Sequence, residues 1–146
     1  MFVSVTLALV KRREAMRTRI PLLFLLAVSV AFTSGCERYS TEGDYKLASR
    51  ITGGGNPARG KEMIRHYGCQ ACHSIPDVRD AVGTVGPPLD HLSKRVYLAG
   101  ELPNTTENLM HWIQRPHDIH PKTAMPEMGV TDQDARDIAA YLYTLK

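Results

Sequence analysis

The residues best suited to chemistry in this chain form one short run, Cys69-Gln70-Ala71-Cys72-His73, with two thiols and an imidazole in five positions. Two thiols three positions apart on a helical turn can each meet one vinyl group of a haem and form a thioether. The adjacent histidine then lies under the ring, placed to ligate iron. This C-x-x-C-H pattern is the attachment signature of haem c. Covalent attachment prevents haem loss from an exported protein and stops Cys69 and Cys72 from pairing with each other or with Cys36. Two other chemistries use close cysteine pairs. A thioredoxin-like redox pair needs a βαβ setting, which the sequence does not offer. A structural zinc site needs four ligands at finger-type spacings, and a second cysteine pair is missing. The motif therefore predicts one covalent haem c with its iron, Cys69 and Cys72 as attachment points and His73 as an axial ligand.

The elements that must position this motif are short helices. Asn56-Pro57 reads as a helix start, with asparagine as N-cap and proline at the first helical position. The helix is expected to run to about His66 or Tyr67, with Met63 and Ile64 inward, and to end at Gly68. Residues 74–88 are rich in turn formers, and a short helical turn is expected around Pro88–Lys94. Thr105 or Thr106 caps a helix carrying Leu109, Met110, Trp112 and Ile113, which stops before Pro116. Residues 115–130 hold three prolines and read as a loop. Thr131-Asp132-Gln133-Asp134 resembles a capping box with aspartate in place of glutamate. The last helix, to about Leu145, places Ala135, Ile138, Ala139 and Leu142 on one buried face. No strand is expected, so the class is all-α, with three to five short helices around the cofactor. About 90 residues of this kind make a thin core, which a large apolar group held covalently would fill.

The first 35 residues differ from the rest. They carry Lys11, Arg12, Arg13, Arg17 and Arg19 against Glu14, then an apolar run from Ile20 to Phe32 and the small residues Thr33, Ser34 and Gly35. This is the pattern of a secretory signal peptide, with Met16 as an alternative start. The run is short for a membrane span. The whole chain has a formal charge of +3, but removing residues 1–35 leaves 13 Lys and Arg against 14 Asp and Glu. The basic balance belongs to the export segment and gives no support for nucleic-acid binding. Phe32-Thr33-Ser34-Gly35-Cys36 resembles the lipobox of bacterial lipoproteins, in which the cysteine is lipidated. Thr33 stands where that family usually has Leu, Val or Ile. The resemblance implies an anchor at Cys36 with more than one acyl chain, as stable membrane attachment requires. Residues 36–56 are polar and glycine-containing. They are expected to be a flexible tether with an r.m.s. span of roughly 25 Å, leading to a domain at 57–146.

Beyond the motif, Gly86-Pro87-Pro88-Leu89 matches a Gly-Pro-x-Leu segment. Pro116, Pro121, Thr123-Ala124-Met125-Pro126 and Gly129-Val130 recur at matching spacing. On these residues the chain resembles the class I, mitochondrial-type cytochrome c family over about residues 57–146. The resemblance implies that the Pro87 carbonyl accepts a hydrogen bond from the ligand histidine, fixing its tautomer and raising its basicity. It implies Met125 as sixth ligand; a soft, neutral thioether favours ferrous iron and raises the reduction potential. By residue type alone, Met128, His120, His117, His111 and Met110 are also candidates. Trp112 is expected against the haem, Arg95 near a propionate with Tyr97 as a second donor, and Gly60 where the first and last helices cross.

With both axial positions filled, the resemblance implies an electron carrier and not an enzyme, cycling between Fe(II) and Fe(III). It implies a quinol- or dehydrogenase-linked donor and an oxidase-type acceptor, met on the periplasmic side of a bacterial membrane. Lys94, Arg95 and Lys122 are candidates for a partner-steering ring. The competing readings are a permanent subunit of a larger dehydrogenase or oxidase, and a peroxidase with a labile Met125. A gas sensor would need an output domain for which the chain has no room.

Overall fold

The computed structural model describes the backbone of residues 35–146 and the side chains from residue 42 onward. The expected signal peptide, the Met16 start and the Cys36 side chain lie outside the described residues. Five helices are found among those described: α1 (Gly35–Ile51), α2 (Pro57–His66), α3 (Thr106–Gln114), α4 (Pro116–Ile119) and α5 (Asp132–Thr144). Two 3-10 turns, Cys69–Ala71 and Leu92–Lys94, lie between α2 and α3. A two-residue antiparallel ribbon, β1 (Tyr97–Leu98) with β2 (Leu102–Pro103), follows the second turn. The fold is all-α, as the sequence predicts. The ribbon and the single turn of α4 inside the expected 115–130 loop are departures too short for a periodic signal.

The caps explain where the helices start. Asn56 accepts from the Arg59 amide with Pro57 next in line, Thr105 accepts from Asn108, and Thr131 accepts from Asp134. Each satisfies an amide that has no partner within the helix, worth about 1 kcal/mol. Gly68 follows α2 at φ 75°, the left-handed conformation that lets the chain turn directly into the cysteine motif.

Helices α2 and α5 cross at Gly60. A Cβ there would overlap the Asp137 carbonyl and meet the Ile138 amide nitrogen at 2.9 Å, so only glycine allows this approach. The crossing is tied by charge as well. Arg59 on α2 reaches both Asp134 and Asp137 on α5. The Asn56 amide donates to Asp137 Oδ1 at 2.8 Å, and the Tyr67 hydroxyl donates to Asp134 Oδ2 at 2.7 Å. The hydrogen bonds from Tyr67 and Thr131, with the Arg59 guanidinium beside it, hold the Asp134 carboxyl below its usual range. Ile64, Leu109, Ile113, Ile138 and Leu142 form the core between α2, α3 and α5. Burying each such side chain contributes roughly 1.5–3 kcal/mol.

The sequence predicts a flexible tether over 36–56, and over residues 42–56 the structure shows packed chain instead. Glu42–Lys146 is one compact unit, and the part of α1 within it packs onto the domain. Ala48 and Thr52 are buried, Arg136 Nη1 donates to the Thr52 carbonyl at 2.9 Å, and Lys146 pairs with Asp44. The contact is made by one small apolar residue and by backbone carbonyls. A search for an apolar stripe is blind to such packing. Gly53 and Gly54, both at positive φ, turn the chain from α1 into α2.

Candidate haem site

The cysteine motif is wound as a single tight turn after Gly68. The His73 amide donates to the Cys69 carbonyl at 3.0 Å and the Ala71 amide to the Gly68 carbonyl at 3.0 Å. Segment 83–87 lies directly against this turn. The Gly86 amide donates to the Cys72 carbonyl at 2.8 Å. At Gly83 a Cβ would meet the Cys72 carbonyl carbon at 2.5 Å. At Gly86 a Cβ would meet His73 Nδ1 at 2.6 Å. Two glycines therefore let the backbone close over the motif.

This closure sets the tautomer of His73. Its Nδ1 lies 2.7 Å from the Pro87 carbonyl. A carbonyl only accepts, so the proton sits on Nδ1 and the Nε2 lone pair is left free to bind a metal.

Cys69, Cys72 and His73 line one cavity of about 350 Å³, within the size range of cofactor sites. Its walls are mostly apolar and include Ile64, Leu92, Leu98, Leu109, Ile138 and Leu142. Burial in this setting raises the Cys69 thiol above its ordinary value, so the free thiol is protonated at neutral pH.

The other residues singled out in the sequence separate clearly. Pro87, Arg95, Trp112 and Met125 all line the cavity. The Met125 amide donates to Thr123 Oγ1 at 3.2 Å, which pins the loop beside the sulfur-bearing side chain. Met128 and His120 reach the same wall, but Met128 is 45% exposed and His120 Nδ1 lies 3.6 Å from Glu101. His117 faces Glu127 and His111 faces Asp118, and neither they nor Met110 line the cavity. Arg95 bridges the carbonyls of Pro88 and Asp90 at the cavity wall. Tyr97, expected as a second propionate donor, is 59% exposed on β1 and is not part of the wall. The alternation of the ribbon turns Leu98 inward and Tyr97 outward. Gly83, Tyr67 and Leu89 were not foreseen as site residues. Tyr67 stands two positions before Cys69, and Leu89 closes the Gly-Pro-x-Leu segment, so both carried a signal in the sequence; Gly83 carried none.

A sequence profile of the cytochrome c family matches residues 57–146. The chain belongs to the cytochrome c family. Its cofactor is covalently bound haem c with iron, and the cavity fits that group, with two thiols and an imidazole of fixed tautomer on an apolar wall. The helical architecture agrees with the small cytochrome c fold. Among curated proteins, the chain is similar to cytochrome c oxidase subunit 2 of Alkalihalophilus pseudofirmus. The two are 29% identical over 89 residues, 60% of this chain and 25% of that protein. Cytochrome c oxidase subunit 2 of Bacillus sp. (strain PS3) is 30% identical over 93 residues, 61% of this chain and 26% of that protein. The chain thus spans about a quarter of the length of these relatives. No solved structure gives a significant match.

Proposed function

We propose that this cytochrome is a class I monohaem electron carrier, bacterial, exported and held at the periplasmic face of a membrane through a lipidated Cys36. Cys69 and Cys72 would hold the haem through thioethers, and His73 Nε2 and the Met125 sulfur would bind its iron. The observation that carries the reading is that one apolar cavity gathers Cys69, Cys72, His73 and Met125.

When bound, haem c supplies a one-electron Fe(II)/Fe(III) couple. The chain's part is to keep the surroundings unchanged between the two states. Pro87 holds His73 in one tautomer and raises its basicity. Thr123 and the flanking Pro121 and Pro126 stiffen the loop that carries Met125. The apolar wall excludes water, which would otherwise have to reorganise with each change of charge. Arg95 presents a cation at the wall for a carboxylate of the cofactor. Exposure of Met128 and the Glu101 contact of His120 favour Met125 over both as the ligand.

The donor is quinol- or dehydrogenase-linked and the acceptor is of the oxidase type. Likeness to two oxidase subunits favours a second arrangement, in which the chain is a fixed subunit of an oxidase. Redox titration of the purified holoprotein, with carbon monoxide added to the reduced form, tests the carrier reading. One reversible electron per chain and no carbon monoxide adduct are expected. Rapid adduct formation would mean an open iron site and would remove the carrier claim. Purification as a free monomer or in a stable complex separates the two arrangements.

A further inference from the structure

A second cavity, of about 630 Å³, lies on the other side of α3 from the haem cavity, and the two share no lining residue. Leu109, Trp112 and Ile113 face the haem cavity, whereas Met110, His111, Gln114 and Arg115 face this groove. The rest of the groove comes from the start of α3, the end of α1 with the two residues after it, and α5, including Arg50 and Arg136. Three arginines thus converge on one concave surface.

Their pairing sets them apart from every other described arginine except Arg65. Arg59, Arg79 and Arg95 each have a carboxylate within 4.0 Å. Among the described residues, Arg50, Arg115 and Arg136 have none, although Glu107 and Asp132 line the same groove. Asp132 is engaged instead by Gln114 Nε2 at 2.7 Å. Arg136 donates once to the Thr52 carbonyl, and among the described residues the planar donor forks of Arg50 and Arg115 have no partner, which leaves them available to an oxyanion. Beside them α1 exposes Leu47 and Ile51, one helical turn apart and each 52% exposed. Ile51 is itself part of the groove. The surface therefore offers guanidinium donors next to apolar side chains, which suits a ligand with an anionic head and a greasy body.

We propose that this groove binds the phosphate head of an anionic phospholipid, with Leu47 and Ile51 against its apolar part. Chain continuity supports a lipid over a soluble anion. Helix α1 carries Cys36, the expected lipidation site, at its start. Arg50, Leu47 and Ile51 thus belong to the element that bears the proposed lipid anchor, and the inference rests on that reading. Such a contact would add an electrostatic attachment to the anchor.

The test uses the haem-loaded full chain and soluble short-chain lipids below their micelle concentration, so that its outcome does not depend on whether Cys36 is lipidated. Dihexanoyl phosphatidylglycerol, dihexanoyl phosphatidylcholine and inorganic phosphate are titrated separately, with amide shifts read at residues 50–53, 106–115 and 132–136. The anionic lipid should bind at these residues at least tenfold tighter than the zwitterionic one or phosphate. The double variant Arg50→Gln, Arg115→Gln should weaken it at least tenfold and leave the haem spectrum unchanged. Equal binding of both lipids, or undiminished binding by the variant, would overturn the proposal. Phosphate binding as tight as the lipid would also overturn it, by pointing to a soluble anion.

Discussion

Replacing Gly86 with alanine tests the closure over the cysteine motif. The new Cβ would lie 2.6 Å from His73 Nδ1 and 2.8 Å from Nε2, where ordinary contact begins at 3.4 Å. Either the ring or segment 86–87 must retreat by about an ångström. The retreat opens the 2.7 Å bond between His73 and the Pro87 carbonyl. Losing that bond costs roughly 0.5–1.5 kcal/mol, and overpacking at a closed site costs a further 1–3 kcal/mol. A destabilisation of about 2–4 kcal/mol is expected in denaturant unfolding of the holoprotein. The reduction potential should rise as well, because a histidine without its acceptor is a weaker base and stabilises Fe(III) less. Gly43→Ala is the control. Gly43 lies in α1 with nothing within 4 Å of its added methyl, so stability should hold or rise by up to ~1 kcal/mol. A Gly86→Ala protein with the stability and potential of the parent would refute the reasoning.

Gly60→Ala should be more damaging still. Its methyl would overlap the Asp137 backbone at the α2–α5 crossing, and a loss of at least ~3 kcal/mol is expected, read as a lower denaturant midpoint or as no folded protein. Asp134 titrates below its usual range because Tyr67 and Thr131 donate to it and Arg59 lies beside it. Its stabilising contribution is therefore present above the unfolded-state value near pH 4 and is lost as the pH falls through the lowered folded value. Unfolding measured at pH 7 and below pH 3 should show Asp134→Asn costing stability at the higher pH and little at the lower; an equal loss at both would contradict this origin. Asn56→Ala removes the cap of α2 and should cost about 1 kcal/mol, with the haem spectrum unaltered.

The helices after residue 56 were legible because their starts are written in side chains. Asn56, Thr105 and Thr131 each accept from the amide three residues on, and Gly68 marks the end of α2. The contact between His73 and Pro87 was legible through the family's Gly-Pro-x-Leu segment. The docking of residues 42–56 was not, because Ala48 and Thr52 give no periodic signal and the bonds that fix them run to backbone carbonyls. The outward turn of Tyr97 depends on a two-residue ribbon, which no alternation can announce. Nothing in the sequence pairs Arg59 with Asp134 or Asp137. Only the crossing at Gly60 brings residues some 75 positions apart into one network.

The central claim is a six-coordinate iron held by His73 and Met125 over thioethers at Cys69 and Cys72. The most direct measurement is the optical spectrum of the ferric holoprotein, read at the weak red band of methionine-ligated haem, in the parent and in Met125→Ala and Met128→Ala. The parent should be low-spin with that band present, Met128→Ala should retain it, and Met125→Ala should lose it. A band that survives Met125→Ala, or a high-spin parent, would contradict the assignment.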